Sequence, residues 1–174
     1  FPCIRRIHGK GLQIVFRPYP KSEQLKKPGK KEKKLEVYKG RTIPTKKQRG
    51  KVSKKDYDRA IQEHGDSCYF CGSTVNLEMH HVMPKGYSRF KNGRGVWRNL
   101  RLLCSRCHRG KDGVHQNQEK MEHLQKLHEQ LYGPYFYCDR FDLFKMGLIV
   151  TPTEEEYEKF MECEAKRARR KSLQ

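Results

Sequence analysis

Cys68-Tyr69-Phe70-Cys71 and Cys104-Ser105-Arg106-Cys107 are two C-x2-C pairs with 32 residues between them, and their reading decides the fold. A tight knuckle lets both thiolates of a pair reach one tetrahedral ion at about 2.3 Å, so two pairs complete a closed four-sulfur shell. Such a shell favours structural zinc, with iron as the competitor. A thioredoxin-like redox pair needs only one motif, and a disulfide framework suits a small secreted chain. Cys3, Cys138 and Cys163 have no partner at comparable spacing and read as free thiols.

Between the pairs lies Leu77-Glu78-Met79-His80-His81-Val82-Met83-Pro84, followed by Asn99-Leu100-Arg101-Leu102-Leu103 and, directly after the last cysteine, His108. Adjacent histidines on a strand point to opposite faces, so one can bind a metal while its neighbour stays free to take a proton. On a helix starting at the second knuckle, His108 lies about 100° round from Cys107 and faces a site beside the zinc. Two metal sites follow, one structural and one open.

These residues together resemble the HNH endonucleases with their ββα-metal fold, over about residues 66–115. The resemblance implies that His81 is the general base activating water, that His80 and His108 hold a divalent ion at the scissile phosphate, and that Asn99 braces the intervening loop and orients His81. It implies magnesium or manganese as the catalytic ion, although imidazole ligands also suit nickel, cobalt or zinc. Phosphodiester hydrolysis needs a deprotonated water in line with the leaving oxygen and a cation to take the developing charge. An imidazole near pKa 6.5 is mostly neutral at pH 7 and competent as the base. Free-standing members of this kind occur in phages and bacteria, often beside DNA-packaging genes, which makes phage packaging proteins candidate partners.

Many members of the family carry a further His or Asn four residues after the helix ligand, where this chain has Asp112. Gly110 and Gly113 weaken that helix, so Asp112 and His115 both stand as contributors. Glu78 shares the strand face of His80 and is expected to orient its imidazole. The stretch from Lys85 to Arg98 is basic, glycine-rich and interleaved with aromatics, and Lys85, Arg89, Lys91, Arg94 and Arg98 are expected to contact the DNA backbone.

Outward from this block, Ser53 caps an expected helix of about three turns with Tyr57, Ala60 and Ile61 on its apolar face and Gly65 as its stop. Residues 117–132 read as a second helix, with Met121, Leu124, Leu127 and Leu131 aligned. An aromatic segment around Tyr135-Phe136-Tyr137 and Phe141-Phe144 follows. Thr153-x-x-Glu156 then opens a last helix ending in a basic run. The fold expected is α+β: a small ββα-metal core with flanking helices, stapled by a four-cysteine zinc. Residues 1–52 form a basic, largely extended arm, 53–133 the nuclease core, and 134–174 an aromatic segment and C-terminal helix packed on it.

The 174 residues carry a formal charge of +19, distributed as +16 over residues 1–55, +3 over 56–132 and 0 over 133–174. Lys26 to Lys34 and Lys46 to Lys51 are too polar and self-repelling to bury anything and suit a polyanion, with a solvated arm, RNA or an anionic membrane as the alternatives. Leu12, Ile14 and Phe16 alternate as in one short strand. Apolar residues amount to only 34%. No run approaches the roughly 20 apolar residues of a membrane span, and no signal-peptide pattern opens the chain, so a cytoplasmic location is expected. The function expected is metal-dependent hydrolysis of DNA. The alternative is a non-catalytic zinc-stapled module that binds DNA or RNA.

Overall fold

The computed structural model describes residues 35–86 and 92–171. The strand expected at Leu12–Phe16, the block from Lys26 to Lys34, Cys3, Arg89 and Lys91 lie outside the described residues.

The centre of the fold is an antiparallel pair, β3 (Leu77–His81) and β4 (Leu100–Cys104), followed at once by α3 (Ser105–Arg109). Leu77 pairs with Cys104 and His81 with Leu100, so the long connection between the strands returns to its starting level. All of β4 is buried, and Leu100 and Leu103 are fully so. The segment therefore reads as a continuous apolar strand despite Arg101. The strand pair and the helix give the expected ββα arrangement.

Helices then cover this unit. α2 (Lys54–His64) is capped by Ser53, whose hydroxyl accepts from the Asp56 N–H, and stops at Gly65 with φ 85°. That conformation costs a glycine nothing. α4 (Gln118–Tyr132) starts at the Asn117 cap and ends at Gly133, which packs closely against α6 (Glu154–Lys171), where a Cβ would lie 3.0 Å from the Glu164 Cβ. α5 (Arg140–Lys145) bridges to α6 through Leu143, Phe144, Tyr157 and Met161, which form a second apolar cluster beside the main one. Thr153 caps α6 as expected, but the Glu156 carboxylate turns back to accept from the N–H groups of Val150 and Thr151.

One expectation is corrected. Residues 35–52 are folded, not extended. β1 (Glu36–Tyr38) and β2 (Arg41–Ile43) form a hairpin whose turn residues, Lys39 and Gly40, both have positive φ, as a two-residue I′ turn requires. Ile43 is completely buried, Tyr38 meets Phe144 edge to face at 5.3 Å, and α1 (Lys46–Arg49) is closed by a full Thr45–Gln48 capping box. The composition of Lys46 to Lys51 misleads because Lys46 and Lys47 are exposed while Arg49 points inward.

Behind β4, His64, Trp97, His128 and Tyr132 pack ring on ring, with His64 and His128 5.3 Å apart. His128 is fully buried and donates from Nδ1 to the Arg98 carbonyl at 2.7 Å. Burial, opposed by that bond, pushes His128 down to about 3, and burial with the nearby Arg101 charge pushes His64 down to about 4. Both rings are thus neutral in the fold and protonate near 6.5 when unfolded. Between pH 6.5 and 4 the unfolded chain takes up protons that the fold refuses, so stability present above pH 6.5 is lost as pH falls. The slope is about 1.4 kcal/mol per pH unit for each proton. Urea unfolding across pH 7.5 to 4.5 should show this decline, and His64→Gln should lower its slope by about one proton.

Candidate metal centres and active site

The sulfurs of Cys68, Cys71, Cys104 and Cys107 lie within 4.8 Å of one another, with Cys71 and Cys104 3.6 Å apart. A tetrahedral ion with 2.3 Å bonds has sulfur–sulfur edges of about 3.8 Å, so the cluster fits one. The chain folds into it for local reasons. Cys68 and Cys71 flank a turn closed by Gly72 N–H to the Cys68 carbonyl at 2.8 Å. Cys104 ends β4 and caps α3, accepting from the Cys107 N–H. Among the described residues all six cysteines are free thiols. Burial and the neighbouring thiols push Cys107 up to about 12, a resistance to ionisation that a cation at the centre removes.

The second cluster is His80, His108 and His115, whose ligand nitrogens also lie within 4.8 Å of one another. His108 Nδ1 donates to Glu78 at 2.5 Å, which fixes its tautomer and turns Nε2 inward, 3.0 Å from His115 Nε2. His80 is 1% exposed, and its Nε2 has no hydrogen-bond partner among the described residues. Burial and the neighbouring imidazoles press His80 down to about 3 and lower His115 as well, so both rings are neutral at pH 7, the form in which an imidazole can bind a metal. An ion about 2.1 Å from each nitrogen sets them roughly 3.0–3.4 Å apart, and the orphaned nitrogen of His80 gains its partner.

Of the two further contributors expected, the structure brings in one, and the role of Glu78 differs from expectation. His115 completes the cluster, while Asp112 turns away to Lys120 and Asn117. The turn after α3, closed by Gly113 N–H to the Gly110 carbonyl, brings residue 115 back over residue 108. Glu78 orients His108 rather than His80, and Arg109 also contacts its carboxylate.

His81, on the opposite strand face, is half-buried, and its Nε2 donates to the Gly50 carbonyl at 3.2 Å. Burial and Lys85 lower it to about 4. Asn99 is fully buried and holds the connection between the strands. Its Oδ1 accepts from Met83 N–H at 2.7 Å, and its Nδ2 donates to the carbonyls of Met83 and Arg94 at 3.1 and 2.9 Å. The glycines of this stretch serve close approach: a Cβ on Gly93 would lie 1.6 Å from the Met83 carbonyl oxygen.

The cations of that connection require a correction. Arg94 and Arg98, expected at the DNA backbone, are 6% and 3% exposed. Arg94 forms a fork with Asp142 at 2.6 and 2.9 Å, and Arg98 forms one with Glu158 at 2.7 and 3.2 Å. Arg98 also stacks on Trp97, which carries Arg59 at the same 4.4 Å distance. Carboxylates of the C-terminal segment neutralise these guanidinium groups, so neither reaches a phosphate. Lys85 remains exposed beside His81.

Residues 68–113, which hold both cysteine knuckles, the histidine pair at the end of β3, Asn99 just before β4 and His108 on α3, match the family of HNH endonucleases. These residues are an HNH domain. No curated protein and no solved structure matches the chain. The match supports nuclease activity in general, a nucleic-acid substrate and metal binding, and the four-cysteine cluster can hold an ion such as zinc.

Structural zinc supplies about 10 kcal/mol or more of apparent binding energy, comparable with the whole stability of a domain. Cys104→Ser should therefore lose both its metal, measured by elemental analysis, and its cooperative thermal transition, followed by circular dichroism. A variant that melts cooperatively without zinc would contradict a structural role for the cluster.

Proposed function

We propose that the protein is a metal-dependent endonuclease that hydrolyses DNA phosphodiester bonds, with His81 as the general base. The observation carrying this reading is the division of labour among the histidines. Three imidazoles converge on one point, one of them buried with an orphaned nitrogen, while the adjacent His81 faces away with its ring fixed by a carbonyl. A module that only binds nucleic acid has no need of that arrangement.

The Gly50 carbonyl can only accept, so the His81 proton resides on Nε2 and Nδ1 keeps its lone pair. Nδ1 takes the proton of the attacking water as its oxygen adds to phosphorus and the ester oxygen departs. Burial keeps the ring neutral at pH 7, at some cost in basicity. A phosphodiester drawn in by Lys85 offsets the positive charge that depresses His81 and restores part of that basicity. Asn99 holds the backbone of Met83, two residues after His81, and so fixes where the ring starts. His80, His108 and His115 would hold the divalent ion, which supplies positive charge for the scissile phosphate and leaving oxygen. Three imidazole donors favour manganese, cobalt, nickel or zinc over magnesium, which prefers oxygen.

General base catalysis contributes typically 10²- to 10⁴-fold. His81→Ala should lower plasmid nicking by about that factor with manganese, nickel or magnesium supplied in turn, with zinc content unchanged. Undiminished cleavage would remove His81 from the mechanism, and cleavage confined to RNA in a parallel assay would refute the assignment of DNA.

A further inference from the structure

The carbonyl that holds His81 comes from outside the HNH domain. Gly50 follows α1, whose last residue, Arg49, has a side chain only 4% exposed. Its guanidinium lies between two carboxylates of the α5 turn, donating to Asp139 at 2.7 and 2.5 Å and pairing with Asp142. Asp142 is the residue forked by Arg94. The Arg49 carbonyl accepts from the Gly95 N–H at 3.0 Å, and a Cβ on Gly95 would lie 2.0 Å from the Lys51 carbonyl oxygen, so residues 49–51 fit against 94–95 without slack.

These contacts close a ring. It runs from His81 to Gly50 and Arg49, through Asp142 to Arg94, through the Arg94 carbonyl to Asn99, and through Met83 back to the strand that carries His81. The histidine is fixed twice, its backbone by Asn99 and its imidazole by Gly50.

We infer that Arg49, seated on Asp139 and Asp142, is a positioning residue that aims the His81 imidazole by fixing the Gly50 carbonyl, so that two segments outside the HNH domain complete the catalytic geometry. This rests on the reading of His81 as the base. The ion cluster is buried, and the desolvation of its charges offsets much of their mutual attraction. The guanidinium matters as a fork: it meets two carboxylates at defined angles, which a lysine ammonium cannot reproduce. Releasing it frees the carbonyl to move, and displacements of about 1 Å at a reacting group can cost on the order of 10²-fold in rate.

The test uses the full-length, zinc-loaded chain and the variants Arg49→Ala, Arg49→Lys and His81→Ala. Steady-state plasmid nicking separates kcat from KM, and long-range ¹⁵N–¹H spectra recorded with no divalent ion besides zinc report the His81 tautomer. Arg49→Ala should lower kcat about 10- to 100-fold, with KM changed by less than about threefold. Its His81 signal should change from the Nε2–H form to a mixture of tautomers, and Arg49→Lys should recover part of both. Loss of affinity with kcat intact would make Arg49 a substrate-binding residue and overturn the inference. A wild-type His81 in the Nδ1–H form would overturn it without any variant, which covers the case in which Arg49→Ala does not fold. Inactive His81→Ala beside fully active Arg49→Ala would leave the base in place and remove the positioning role. Full activity of His81→Ala would remove both.

Discussion

Convergence of four sulfurs across a 32-residue gap is the constraint from which the rest of this fold follows. Cys104 belongs to three structures at once: the last residue of β4, the cap of α3 and one corner of the cluster. Fixing it opposite Leu77 fixes His81 opposite Leu100 and brings Asn99 beside Met83, because a one-residue slip would turn every side chain of the strand to the wrong face. The helix that leaves Cys104 delivers His108 directly after Cys107. Register, capping and metal geometry are therefore a single condition met at a single residue.

Much of this was legible in the sequence because it depends on short spacings. Two cysteines three apart can share an ion whatever surrounds them, and a histidine pair on a strand must face both ways. The cap at Ser53 and the stop at Gly65 are equally local. What could not be read depends on partners distant in the chain. Arg94 and Arg98 look like phosphate contacts until Asp142 and Glu158, 48 and 60 residues away, arrive to neutralise them. His115 displaces Asp112 because the turn after α3 is tighter than a continuing helix, and helix periodicity cannot express that. The paired rings of His64 and His128 left no signal, since a lone histidine on a helix carries none.

The charge distribution takes a different meaning in three dimensions. The balanced C-terminal segment is neutral on average, but several of its charges are directed apart: Asp139, Asp142 and Glu158 face inward onto Arg49, Arg94 and Arg98, while Lys166, Arg169 and Arg170 are exposed near the end of α6. Basic residues near the HNH domain thus divide into those that are paired within the fold and those that stay exposed. Composition alone merges the two groups, because a buried guanidinium and an exposed one contribute equally to net charge. The division is visible only through the carboxylates, which is why the C-terminal segment is needed to interpret the central one.

The two clusters are also linked mechanically. Cys107 and His108 are consecutive residues on one short helix, so an ion that orders the sulfur cluster orders the first residue of the imidazole cluster with it. α3 spans only Ser105–Arg109 and ends at a glycine, and a helix of that length has little stability of its own in water. Its orientation must therefore come from its ends: the sulfur cluster at one, and at the other the contact of His108 with Glu78. Glu78 stands on β3 two residues before His80, so the same strand that supplies a ligand also supplies the carboxylate that turns the opposing ligand toward it. The imidazole cluster is thus held by contacts between β3 and α3 that are made within the chain itself.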